Sequence, residues 1–165
     1  MTSDKSYATE QRLNALINSL APMTGPATDQ TINAGWANTI GTLTVPVIAG
    51  FTYHFRAKIV GQQVAPGAVS QLVGLTGPTA NWIRITYTDI ATGAPPAYNH
   101  ENFSQSLGPF GTAVYPTSQV WVSEFTGNVS FLNGGTLALA GGNTGGVNWL
   151  ALAHYCYLIA VPANG

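Results

Sequence analysis

The side chains of this 165-residue chain that could perform chemistry are few and scattered. The histidines are His54, His100 and His154, and their separations do not match the short spacing of a zinc-binding pair. Each has a simpler reading. His54 stands beside Arg56 on the polar side of an alternating segment, His100 precedes Glu101 in a turn-rich stretch, and His154 adjoins an apolar run. A three-fold axis could gather copies of one histidine around an ion, but nothing in the spacing requires it, and no metal is expected. Beyond residue 20 the acids are Asp29, Asp89, Glu101 and Glu124. Glycoside hydrolysis needs two facing carboxylates. Asp89 and Glu124 could in principle meet, yet they read better as chance surface acids. There is no Gly-x-Ser-x-Gly elbow for a hydrolytic serine. Gly141-Gly142-Asn143-Thr144-Gly145-Gly146 has the look of a phosphate loop, but it lacks the Lys-Ser/Thr pair and precedes no helix. It reads as a flexible turn between the last two strands. The single cysteine, Cys156, lies in Tyr155-Cys156-Tyr157-Leu158 and reads as a buried, inert thiol. No catalytic residue and no cofactor are expected, and the chain does not read as an enzyme.

Such sparse chemistry goes with sparse charge. Asp, Glu, Lys and Arg make up 7% of the sequence, against roughly 25% in ordinary soluble domains. The basic residues are Lys5, Arg12, Arg56, Lys58 and Arg84, and the formal net charge is −1. Neutralising phosphates takes clustered Lys and Arg, so neither nucleic acid nor an acidic membrane is an expected partner. A net charge near zero leaves little repulsion between copies and favours association. The opening residues Met1-Thr2-Ser3-Asp4-Lys5-Ser6 carry no apolar signal-peptide region. No apolar run reaches the roughly 18 residues of a membrane helix. Synthesis in a cytoplasm is expected.

Two unlike segments must position whatever the chain binds. Residues 1–31 are expected to form an N-terminal helical arm and linker. Leu13, Leu16, Ile17 and Leu20 fall at i, i+3, i+4 and i+7, one stripe of a helix, which Pro22 and Gly25-Pro26 would end. A helix of about four turns is marginal alone in water, so its stripe must be packed. It either folds back on its own head or reaches a neighbouring subunit.

Residues 32–165 are expected to form a β-sandwich head. In the segment 51–60, Phe51, Tyr53, Phe55, Ala57 and Ile59 share one face while Thr52, His54, Arg56 and Lys58 share the other. That period of two marks a half-buried strand. Strands are also expected over 42–48, where Pro46 implies an edge or a bulge, and over 68–75, 82–90, 120–125, 128–132, 136–139 and 150–161. Thr126-Gly127 reads as a hairpin turn, and 91–116 as mainly long loops with one short strand. About eight short antiparallel strands make a mainly β fold, a sandwich or barrel.

Read in order, three phrases carry a resemblance: Val47-Ile48-Ala49-Gly50-Phe51-Thr52-Tyr53-His54-Phe55-Arg56-Ala57, then Gly77-Pro78-Thr79-Ala80-Asn81-Trp82-Ile83-Arg84-Ile85, then Gly134-Gly135-Thr136-Leu137-Ala138-Leu139, followed by a closing apolar strand. Over residues 35–162 the chain resembles the small jelly-roll domains of tailed-phage virion proteins, which look like the trimeric jelly rolls of the tumour-necrosis-factor/C1q class. The resemblance implies an antiparallel jelly-roll β-sandwich and a homotrimer attached to a phage particle.

The closing segment gives that implication a physical reason. Tyr155, Tyr157, Ile159 and Val161 alternate with Cys156, Leu158 and Ala160, so both faces are apolar. A strand apolar on both faces is expected to be buried on both. Tyr155, Tyr157, Ile159 and Val161 are therefore expected at the trimer interface.

The expected function is that of a capsid decoration, or cement, protein on the exterior of a phage capsid. It would bridge copies of the major capsid protein, with Leu13, Leu16, Ile17 and Leu20 as the arm's capsid or neighbour contact. The alternative is a receptor- or carbohydrate-binding tip domain of a tail fibre, with Tyr98, Phe103, Phe110 and Tyr115 as stacking rings.

Overall fold

A computed structural model describes residues 28–64, 69–91, 99–104, 107–115, 120–146 and 148–163. The expected arm, with Leu13, Leu16, Ile17 and Leu20, lies outside the described residues. The described chain is all β, without a helix. Its strands are β1 (Gln30–Ile32), β2 (Gly35–Val47), β3 (Thr52–Gln63), β4 (Val69–Thr76), β5 (Ala80–Ala91), β6 (Asn99–Ser104), β7 (Pro109–Tyr115), β8 (Val120–Phe131), β9 (Gly135–Asn143), β10 (Trp149–Ala151) and β11 (Tyr157–Pro162).

They form two antiparallel sheets. The larger runs β1-β10-β3-β8-β5-β6, with β11 also on β3, and the smaller runs β2-β9-β4-β7. The pairing is nested: β4 with β7, β3 with β8, β2 with β9, and β1 with β10. The β5–β6 hairpin sits inside that nest in sequence and widens the larger sheet beyond β8.

Between the sheets lies one core. From β3 it takes Tyr53, Phe55, Ala57 and Ile59, from β8 Trp121, Phe125, Val129 and Phe131, from β5 Ile83 and Ile85, and from β9 Leu137 and Leu139. The alternation of β3 is as the sequence predicts, with His54 and Arg56 exposed on the other side. On β2 the inward phase slips at Gly41 (φ 56°), where the register against β9 shifts between Thr39 and Thr44. The slip lets both Ile40 and Leu43 enter the core. Pro46 lies on this edge strand, where a missing N–H is tolerated. Gln30 ties β1 to the same strand. Its Nε2 donates to the Thr39 carbonyl at 2.8 Å, and its Oε1 accepts from the Gly41 amide at 2.6 Å.

Four expectations about the strands need correction. Thr126-Gly127 is not a hairpin turn, because β8 runs unbroken from Val120 to Phe131. A Cβ on Gly127 would strike the Arg84 carbonyl on β5, so the glycine admits a close neighbouring backbone. The stretch 91–116 holds two strands, β6 and β7, each at a sheet edge. Gly141, Gly142 and Asn143 belong to β9, and the bend follows at Thr144–Gly146. The expected closing strand is two pieces, β10 and β11, on the same side of β3.

The break between them is a compact turn. The Leu152 amide donates to the Val60 carbonyl at 2.9 Å, and the Ala153 amide donates to Asp29 Oδ1 at 2.7 Å. His154 adopts φ 62°, a conformation costly for a residue with a Cβ. Cys156 then fills the gap: its Sγ accepts from the Val60 amide at 3.4 Å, and burial pushes the thiol pKa up.

Candidate functional site

The outer face of the larger sheet is where the expected interface residues fall. Cys156, Leu158 and Ala160 point into the core and are buried. Tyr157, Ile159 and Val161 alternate with them and line the outside of β11, with Ile159 37% exposed. Tyr155 is not part of this strand. It lies in the preceding turn at 64% exposure, because the chain breaks after Ala151 and re-enters the sheet only at Tyr157. The expectation that both faces of this segment are buried thus holds for its inner face within the described chain, while the outer face keeps contact with solvent.

The register carries the outer face across four strands in rows. Tyr157 lies opposite Lys58, then Glu124, then Thr88. Ile159 lies opposite Arg56, then Thr126, then Thr86. Val161 lies opposite His54, then Asn128, then Arg84. The sheet therefore presents an apolar rib on β11, a basic column on β3, and a column of carboxylate, hydroxyl and amide on β8. Threonines and a further arginine follow on β5.

Arg56, Lys58 and Arg84 are all the lysines and arginines that the described residues contain, and they share this one face. Lys58 Nζ is 3.9 Å from Glu124 Oε1, with both side chains partly exposed. His54 Nδ1 is 3.3 Å from Asn128 Oδ1. Arg56 is exposed, and its guanidinium has no ion-pair partner among the described residues. The columns bound an open groove of about 320 Å³ lined by His54, Arg56, Thr86, Thr88, Glu124, Phe125 and Thr126. Sequence reasoning treated His54 and Arg56 as ordinary exposed residues. The signal it lacked is the cross-strand register, which joins segments far apart in the chain.

The other singled-out residues lie elsewhere. The register sets Thr88 opposite Glu124 and Asp89 opposite Ser123, so the two residues considered for hydrolysis are not cross-strand partners. Among the described residues no three His, Cys, Asp or Glu side chains converge. Phe110, expected as a surface stacking ring of a glycan-binding loop, is buried and meets Phe125 edge-on with ring centroids 6.4 Å apart. It is a core residue because β7 turns that side of the strand towards the larger sheet. Tyr98 lies outside the described residues, and the structure describes only the backbone at Phe103 and Tyr115.

At the loop-bearing end of the sandwich, Gln63, Gln71 and Asn143 are buried together. Gln71 Nε2 donates to Gln63 Oε1 at 3.4 Å, and Asn143 Oδ1 accepts from the Gly146 amide at 2.9 Å to hold the bend after β9. Gln71 and Asn143 lie opposite each other across β4 and β9, and Gln71 Oε1 and Asn143 Nδ2 are buried without a hydrogen-bond partner among the described residues.

No protein-family model matches the chain, and no curated protein matches it at a significant level.

Proposed function

We propose that this chain is a structural protein of a tailed-phage virion, a capsid decoration protein that assembles as a homotrimer on the outside of the shell. The observation that carries the reading is the apolar rib of Tyr157, Ile159 and Val161, displayed on the outer side of a strand in a chain almost without charge. Such a rib gains by being covered, and near-neutral copies do little to repel one another. A three-fold arrangement covers three ribs at once and suits a three-fold lattice point. We further propose that the sandwich is a jelly roll. Four nested antiparallel pairs, from β4·β7 outwards to β1·β10, are the support for this, with β5–β6 as an insertion.

In this reading the major capsid protein is the partner. The N-terminal arm bridges to it or to a neighbouring subunit through Leu13, Leu16, Ile17 and Leu20. Burying four such side chains would contribute on the order of 6–10 kcal/mol per arm before ordering costs. The protein is made in the host cytoplasm, adds to the finished shell and reinforces it mechanically. No enzymatic step, cofactor, nucleic acid or membrane enters.

The test combines two measurements on the full chain. Sedimentation at working concentration should give a trimer. Added to undecorated expanded capsids, the protein should bind to saturation and raise their melting temperature. A monomer that ignores capsids would overturn the reading. A trimer that binds host cells and ignores capsids would favour the tail-fibre tip.

A further inference from the structure

We propose that the groove between β3, β8 and β5 binds an acidic saccharide, one bearing a carboxylate or sulfate group. The argument starts from where the charge lies. In a sequence that is 7% charged, chance would scatter the cations of the head, yet Arg56, Lys58 and Arg84 share a single sheet face, and Arg56 lines its groove. Lys58 is partly engaged by Glu124 at 3.9 Å. Arg56 has no ion-pair partner among the described residues and lines the groove. A guanidinium offers a planar fork of donors, which matches a carboxylate or sulfate in bidentate fashion.

The rest of the lining selects the remainder of the ligand. Thr86, Thr88 and Thr126 bring hydroxyls that both donate and accept. Glu124 brings an acceptor, and His54 a ring nitrogen. Mixed donors and acceptors of this kind suit a chain of hydroxyls. Glu124 also sets the limit on anionic charge, since it would repel a polyphosphate while accepting a sugar hydroxyl. The volume of about 320 Å³ stands at the lower end of the range for small-molecule sites. The groove is open along the sheet, so a polymer can lie across it. The middle of the groove is about two strand spacings, roughly 10 Å, from β11. The groove is built from this chain's own β3, β8 and β5, so the inference does not depend on the chain being a decoration protein.

The experiment is a titration of the full-length protein, by calorimetry and by backbone amide shifts, with three probes: a hyaluronan hexasaccharide, which carries one carboxylate per disaccharide, maltohexaose and sodium sulfate. The acidic hexasaccharide should bind, with shifts centred on 54–58, 84–88 and 124–128. Maltohexaose and sulfate alone should bind at least tenfold more weakly. Arg56→Ala should lower the affinity for the hexasaccharide about tenfold, and Arg56→Lys should recover only part of the loss, because the charge returns without the fork. Glu124→Gln should leave that binding intact or tighten it. Arg56 is exposed, so both of its variants should keep the wild-type melting curve. Three results would each overturn the proposal: unchanged affinity in Arg56→Ala, equal affinity for maltohexaose, or sulfate binding as tightly as the hexasaccharide. Shifts confined to the loops between strands would do the same.

Discussion

Trp121 and Trp149 meet edge to face with ring centroids 4.9 Å apart, and each indole lies over a glycine. A Cβ on Gly61 would run into the ring of Trp121, and one on Gly141 into the ring of Trp149. The Trp149 Nε1–H donates to the Gly142 carbonyl at 2.8 Å. The pair bridges the two sheets, with Trp121 and Trp149 from the larger one and Gly141 from β9 of the smaller.

Gly61→Ala and Gly141→Ala should therefore overpack the core. Each is expected to destabilise the head by about 1–3 kcal/mol. A lower urea midpoint at an unchanged slope would bear this out; a wild-type midpoint in both variants would not.

The β11 rib separates packing from association. Leu158 points inward and Ile159 outward on the same strand. Ile159→Lys should keep the melting temperature within a degree or two, since exposed substitutions usually change stability by under about 0.5 kcal/mol, and should convert the proposed trimer to monomers in sedimentation. Leu158→Lys should fail to fold, because it buries an unpaired charge. A trimer that survives Ile159→Lys would remove β11 from the interface.

Alkaline pH should weaken the head. Burial raises the Cys156 thiol above its ordinary 9.0, and it raises the Tyr53 phenol above 10.0, where the Ile48 amide bonded to its oxygen opposes the rise only in part. Both groups hold their protons more tightly folded than unfolded. Their contribution is complete below the unfolded values and is lost as pH climbs through the folded ones. The urea midpoint is expected to fall above about pH 9. In Cys156→Ala the fall should begin later, at the phenol. A native thiol as quick as free cysteine towards a disulfide reagent at pH 8 would contradict the burial on which this rests.

The turn between β10 and β11 carries a conformational cost at His154, whose φ of 62° suits glycine. His154→Gly should raise stability by about 0.5–1 kcal/mol, the relief of that backbone less the added freedom of the unfolded chain. Thermal unfolding checks the sign, and a lower melting temperature would point to a role for the imidazole in holding the turn.

Local pattern was legible wherever one face of a strand is wet. Tyr53, Phe55, Ala57 and Ile59 alternate with polar residues because β3 has the core on one side and solvent on the other. On β11 no polar residue marks the wet face, so the sequence expected burial on both sides, whereas Leu158 is buried and Ile159 exposed. Pattern also misled where a residue type has a second use. Gly127 has the composition of a turn but serves as a place for the Arg84 carbonyl to approach. Tyr155 continued an apolar rhythm that the chain itself interrupts. The groove was illegible for a different reason. Arg56, Thr126 and Thr86 become neighbours only through the register of three strands, and no local period records register between distant segments.

The nesting of strand pairs has a consequence for how the molecule is born. Its outermost pair joins β1, near the start of the described chain, to β10, near its end. Contacts between such distant segments form slowly, because a large loop must close before they reward it. While β10 and β11 are still being synthesised, β3 has one side bare and β1 has nothing to join. Nascent copies would offer those bare strands to each other. The fold is therefore completed only in released, finished chains, and crowded translation of this message is where tangles would begin.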